Sequence, residues 1–401
     1  MRAALLVACL LPGLAAGAAA QSPPTLRDVV AVALRQNPDV LAARLRDDSA
    51  AAERRIARGI PNPTLGTLTG VPFQYSASAS LDVGPARWYR TGAAARGAEA
   101  ARLDADDVTR QTVFAVRQAF EDQLLAEALR DIASERRDIY VQLLAADSVR
   151  LRGGDVPERN VTTSEVRLAR ADADLTRAVA AVHAARLALQ LLMGVASPDT
   201  GFTVSGSLAY RPVAIPVDSL EAIADAGRPD VRAADARVSQ ARALSSFATA
   251  LLVPTPEITL SYQPGAPYTT GSNWAVGIGL SLPVFYWYGG ERARSQASVR
   301  TAEVQSRRTR AQVANDVATA LDALRAAQGL AERYEAGLLA KSQQALDEAR
   351  LAYRSGATSL LDLLDAIQTW SDTRADYDTA AHDYWVGVFA LSRAVGRDLT
   401  P

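Results

Sequence analysis

Few residues in this 401-residue chain have the types and spacing for chemistry, and most of them are carboxylates. Asp362 and Asp365 stand three apart, so on a helix they project from one face. Several copies of such a pair, converging in a pore, would favour cations and raise their own pKa values. The plainer reading is a solvated pair on a charged helix, since the chain has 44 acidic residues. His183 and His382 are the only histidines. Each falls on a predicted long helix, with no cysteine or second histidine at metal-ligand spacing, and both read as surface or seam residues. There is no glycine-rich phosphate loop and no nucleophile elbow. The sequence therefore predicts no catalytic residue, no metal site and no cofactor, and it is not read as an enzyme.

Residues 1–20 have the layout of a secretory signal: Arg2, an apolar stretch from Ala3 to Leu14, and small residues ending at Ala18-Ala19-Ala20. Cleavage near Ala20 is expected. Cys9, the only cysteine, sits in Leu6-Val7-Ala8-Cys9, which has a lipobox shape, but lipidation there would leave a short apolar region. Loss of the signal removes the only thiol, and with it disulfides and thiolate metal sites. Lys and Arg number 43 against 44 Asp and Glu, evenly mixed, so nothing points to nucleic acid. After the signal no run of about 18 apolar residues occurs.

The elements that must position the acids come in two copies. Asn37-Pro38-Asp39-Val40 recurs about 190 residues later as Arg228-Pro229-Asp230-Val231. In the same order Pro61 and Pro63 recur as Pro254 and Pro256, Trp88-Tyr89 as Trp287-Tyr288, Arg152 and Gly154 as Arg354 and Gly356, and Gly194 as Gly396. The expected units are 21–210 and 211–401. Each reads as a short helix (26–36; 219–227), a second helix to about 58 or 251, a β-hairpin, a very long helix and a return helix.

Glu257–Gln263, Asn273–Val284 and Ser76–Val83 alternate large apolar with small or polar residues, and Thr64–Val71 does so less clearly. The hairpins are placed at about 62–83 and 256–284. The stretch from Asn273 to Val284 is about as long as a tilted membrane-crossing strand. No proline interrupts 86–156, so a helix from about Trp88 to Leu151 would run roughly 96 Å. Gly290–Ala352 is its counterpart, with Gly329 and Gly337 as weak points. Glycine turns lead to return helices at about 158–192 and 359–395, completing long helical hairpins at 88–193 and 290–396. On the last helix Ile367, Trp370, Tyr377, Tyr384, Val388, Leu391 and Val395 form one apolar seam. Four strands cannot close a barrel, since about eight is the minimum. Open edges cannot sit in lipid, so an oligomer is required, with a dimer and a trimer both open on this reasoning.

Ser281-Leu282-Pro283-Val284 before Gly289-Gly290, and Tyr353-Arg354-Ser355-Gly356-Ala357-Thr358-Ser359-Leu360-Leu361-Asp362-Leu363-Leu364-Asp365-Ala366, resemble two signatures of the TolC family of outer-membrane efflux channels. The likeness runs over essentially all of residues 25–396. It implies a mostly α fold with a membrane β-barrel portion: a homotrimer whose 12 strands form one barrel in outer-membrane lipid and whose 12 helices form a periplasmic cylinder. It further implies a passive duct that docks on a periplasmic adaptor and an inner-membrane pump of resistance-nodulation-division or ATP-driven type. Asp362 and Asp365 match the family's paired tip aspartates, whose copies ring the narrowest part of the duct. Tyr353 matches a tyrosine that helps hold the tip closed. The partners of that lock would fall at Thr358 and Asn160, which depart from the family pattern. The turns carrying Arg152, Gly154, Arg354 and Gly356 are the expected adaptor-docking tip. Trp274, Tyr286, Trp287 and Tyr288 would form an aromatic girdle, with core packing as the alternative. Pro61-Asn62-Pro63 faintly resembles heavy-metal-efflux members. The rival reading is a soluble periplasmic coiled-coil scaffold or adaptor.

Overall fold

The computed structural model describes residues 23–69, 73–215, 219–264 and 273–400. The expected signal and Cys9 lie outside the described residues.

Helix α1 (Leu26–Gln36) starts in a capping box, Thr25 and Asp28 each bonding the other's backbone. Asn37 ends α1 and caps α2 (Pro38–Arg58): its Oδ1 accepts from Asp39 and Val40 N–H at 2.9 and 3.2 Å, and Pro38 supplies the preset φ of a first helical residue. Strands β1 (Thr64–Leu68) and β2 (Gln74–Ser80) follow, then α3 (Pro85–Gly153) and α4 (Glu158–Leu192). The second half runs α5 (Leu220–Gly227), α6 (Pro229–Ala250), β3 (Pro256–Tyr262), β4 (Trp274–Leu280) and α7 (Gly289–Arg333). A π-helical turn at Tyr334–Leu338 leads on to α8 (Leu339–Arg354), and α9 (Leu360–Val395) returns. With 69 residues, α3 is roughly 104 Å long. Its counterpart is broken where the sequence is weakest: Gly337 has φ 127°, while Gly329 stays helical.

Two buried polar residues moor the short helices to the ends of the return helices. Asn37 Nδ2 donates to Leu192 O at 2.8 Å, and Arg228 Nη1 donates to Ala394 O at 3.1 Å while pairing with Asp230 and Asp316. Gly194 and Gly396, both at φ 75°, stand at these junctions. A Cβ on Gly194 would lie 2.4 Å from Gln36 O.

The strands form one antiparallel sheet in the order β1-β2-β3-β4. The two hairpins are therefore neighbours, with Ala77 opposite Leu260 and Ala79 opposite Ile258. Pairing places Leu65, Ala77, Leu260 and Val276 in one row, and Tyr75, Tyr262 and Trp274 in the next. The opposite face carries small or polar groups: Ser76, Ser78, Thr259, Ser261, Gly277 and Gly279. Among the described residues no other element packs over the apolar face, leaving Val276 74% and Ile278 75% exposed. The strand expected from Asn273 to Val284 stops at Leu280. Its partner β3 begins at Pro256, opposite Leu280, and Pro283 has no N–H to extend a ladder. The seven-residue ladder is thus shorter than the 9–11 residues of a membrane-crossing strand, although Gln263 N–H also donates to Asn273 O at 2.9 Å.

The helical region buries separate apolar clusters along its length. One joins Val29 and Ala33 to Phe120, Leu124 and Leu189; another joins Leu220, Val317 and Leu324 to Tyr384, Val388 and Leu391. Near the far end Ile139, Tyr140 and Leu143 pack on Leu363, Ile367 and Trp370. The expected α9 seam is buried except at Tyr377, which is half-buried. By hydropathy and length, α4 contains one stretch long enough to cross a membrane. That stretch holds Arg186, which binds Glu127 at 3.0 Å and Thr200 O at 3.2 Å.

Candidate functional site at the helical tip

The hairpin turns α3–α4 and α8–α9 lie side by side at one end of the helices. Each turns on a left-handed glycine, Gly154 at φ 80° and Gly356 at φ 76°. Arg152, Gly154, Arg354 and Gly356 are all exposed there.

Three contacts tie the turns together. Tyr353 of α8 is 5% exposed, and its hydroxyl donates to Asp147 Oδ1 of α3 at 2.5 Å. Asp147 is fully buried and accepts a second bond, from Ser164 Oγ of α4, at 2.7 Å. Arg150 places its guanidinium 5.1 Å from the Tyr353 ring and donates to Tyr353 O at 3.2 Å. Burial, followed by the bond to Asp147, pushes the Tyr353 phenol up to about 12, so it stays a donor at ordinary pH. A charged acceptor makes this bond stronger than one between neutral groups.

The acid partner of Tyr353 is therefore Asp147 and not the position of Asn160. Asn160 lies beside the hydroxyl and lines, with Tyr353, Arg150 and Thr358, a cleft of about 530 Å³ between the turns. Thr358 Oγ1 donates to Asp362 Oδ2 at 2.7 Å.

Asp362 and Asp365 are both exposed on the first turns of α9. Asp362 closes a capping box: its Oδ2 accepts from Ser359 N–H at 3.1 Å and Ser359 Oγ at 2.8 Å, and Ser359 Oγ accepts from Asp362 N–H at 3.2 Å. Bonds from Thr358 and Ser359 hold its carboxyl below the usual range. Within one chain Asp362 thus has a local structural role. Asp365 makes no hydrogen bond or ion pair with any described residue.

Asp147, Ser164 and Arg150 escape sequence reasoning, although one signal exists. Ile139, Leu143 and Asp147 recur every four residues, so a lone acid continues an apolar stripe. Of the aromatic residues expected near the strand ends, Tyr286, Trp274 at 57% and Trp287 at 63% are exposed and Tyr288 is half-buried, so none of them packs in the core of the chain. Among the described residues no group of three or more His, Cys, Asp or Glu could hold a metal ion.

Residues 222–397 match the profile of the outer membrane efflux protein family. The chain is 26% identical over 385 residues to the cobalt-zinc-cadmium resistance protein CzcC of Cupriavidus metallidurans, covering 94% of this chain and 91% of that one. Its fold is similar to the CmeC outer membrane channel of Campylobacter jejuni, with TM-score 0.79, 17% identity and coverage of 92% and 85%. It is also similar to the open-state MtrE outer membrane channel of Neisseria gonorrhoeae, with TM-score 0.77, 21% identity and coverage of 94% and 90%.

Proposed function

We propose, for a chain that belongs to the outer membrane efflux protein family, a homotrimeric duct that passes divalent metal cations from a periplasmic adaptor and inner-membrane pump to the outside. The family makes the chain an efflux channel subunit of a Gram-negative outer membrane that extends into the periplasm. The finer assembly rests on one observation: among the described residues, a four-stranded sheet whose edge strands β1 and β4 pair with no further strand and whose apolar face no element covers. Such a sheet is incomplete alone, because unpaired backbone groups and open edges are costly in lipid. Three copies supply 12 strands, wide enough for an open lumen, where two supply eight and a filled one. The succession of helix pair, hairpin and helical hairpin in each half supports reading 21–210 and 211–401 as two structural repeats. The exposed aromatic residues beside β4 suit a lipid interface.

The metal reading rests on the likeness to a cobalt-zinc-cadmium resistance protein over nearly the whole chain. At the tip, Tyr353, Asp147 and Arg150 latch one helical hairpin to the other in the closed state. Spreading the hairpins breaks these contacts and opens the end of the duct. Asp362 and Asp365, repeated in three copies, line the constriction, and Arg152, Gly154, Arg354 and Gly356 meet the adaptor. Planar-bilayer recording of the purified oligomer tests the reading. Currents carried by Zn²⁺ or Co²⁺ with a preference over anions are expected, and an oligomer that conducts anions as well as cations overturns the metal assignment.

A further inference from the structure

Midway along the contact between α3 and α9 lies a set of acid and base groups that the tip does not use. Phe114, Arg117 and Glu121 recur at steps of three and four on α3 and face α9. The Arg393 guanidinium sits 4.2 Å from the Phe114 ring, and that of Arg117 sits 5.3 Å from the Phe389 ring. Farther along, His382 of α9 is held between two carboxylates. Its Nε2 is 2.7 Å from Asp122 Oδ1 across the seam, and its Nδ1 is 3.0 Å from Asp383 Oδ1. Only the doubly protonated imidazole can donate to both. Glu121 is 6% exposed, and its Oε2 is buried with no hydrogen-bond partner among the described residues.

A carboxylate in that position is costly to ionise. Burial pushes the Glu121 carboxyl up to about 7; the His382 cation opposes this and Asp122 adds to it. Burial alone would lower the His382 imidazole, but its bonds to Asp122 and Asp383 outweigh that and hold it above its ordinary value. One turn before His382, Asp378 is pushed up by burial and opposed by Arg374. Residues 202–210 also pack here, with Ala209 O accepting from Trp385 Nε1 at 3.0 Å. They contribute no acid or base except Tyr210, whose hydroxyl is bonded to Glu332.

We propose that the α3–α9 seam is a pH-sensitive joint: in acid, neutral Glu121 and cationic His382 close it, and as pH rises through neutrality Glu121 ionises in place and loosens it. Glu121 holds its proton more tightly folded than unfolded, so the folded chain carries the extra proton between the ordinary glutamate range and about pH 7. Stability therefore falls as pH rises across that window. His382 acts in the same direction: its contribution is fully present below its unfolded value of 6.5 and is lost as pH rises through its higher folded value. Because α3 and α9 belong to different helical hairpins, a loosened seam eases spreading at the tip. That consequence rests on the duct reading; the titration does not.

The test uses the purified full-length oligomer in detergent and its Glu121→Gln and His382→Gln variants. Infrared titration of the unmodified chain should show a protonated-carboxyl band that disappears near pH 7 and is missing from Glu121→Gln. The melting temperature should fall by roughly 3 °C between pH 5 and 7, with a flatter profile in Glu121→Gln. His382→Gln should keep the band and move its midpoint to higher pH, since the neighbouring cation is gone. A band that disappears in the ordinary carboxylate range, a melting profile unchanged by Glu121→Gln, or a midpoint unmoved by His382→Gln overturns the proposal. Bilayer conductance over the same pH range separates the two readings: a chain that titrates as described but does not conduct overturns the duct and leaves the joint standing.

Discussion

Replacing Tyr353 by Phe deletes one hydroxyl from the tip and keeps the ring under Arg150. The lost bond joins a phenol to a fully buried carboxylate at 2.5 Å, and a hydrogen bond to a charged group contributes about 1.5–3 kcal/mol. Asp147 keeps only its bond from Ser164, so the variant also leaves part of a buried charge unsolvated. A loss of about 2 kcal/mol per chain shifts the closed-to-open ratio at each tip roughly 30-fold. The assay is planar-bilayer recording of Tyr353→Phe, Asp147→Asn and the double variant. Each single change should raise open probability, and the double should add little, because both remove the same bond. Additive effects, or an open probability unchanged by Tyr353→Phe, would refute the latch.

Gly194→Ala should cost about 2–5 kcal/mol in thermal or denaturant unfolding, since it combines a left-handed backbone with a Cβ placed 2.4 Å from Gln36 O. Gly154→Ala, with open space around the same type of conformation, should cost only about 1–2 kcal/mol. Ser359→Ala removes the α9 cap and should cost about 1 kcal/mol, with amide exchange accelerating in the first turn of α9 before anywhere else. The double variant Asp362→Ala, Asp365→Ala should lose cation preference in bilayers; unchanged current and selectivity would leave Asp362 with its capping role alone.

Local rules carry the helices well. The proline-free stretch after Pro85 runs as one helix to the glycine turn at 153–154, and Asn37-Pro38 and Arg228-Pro229 each part a short helix from a longer one. What local rules miss is pairing at a distance. The contact of β2 with β3 joins segments about 180 residues apart, and neither strand's pattern names its neighbour. The end of β4 depends on where β3 begins, so alternation alone carried it four residues too far. At the tip Tyr353 was legible from its motif, but its partner lies on another helix, 206 residues away in sequence. A gap in the motif at Asn160 therefore said nothing about whether the tyrosine was bonded. Glu121 and His382 were hidden for the same reason: each is ordinary on its own helix, and only the crossing of α3 and α9 makes them neighbours.

The most direct measurement is the mass of the particle extracted from outer membranes in mild detergent, taken before and after heating. The account predicts three copies in the unheated particle and one after heating. Recovery of the chain as a monomer in the soluble periplasmic fraction would contradict it, because the sheet would then keep its open edges and bare apolar face in water.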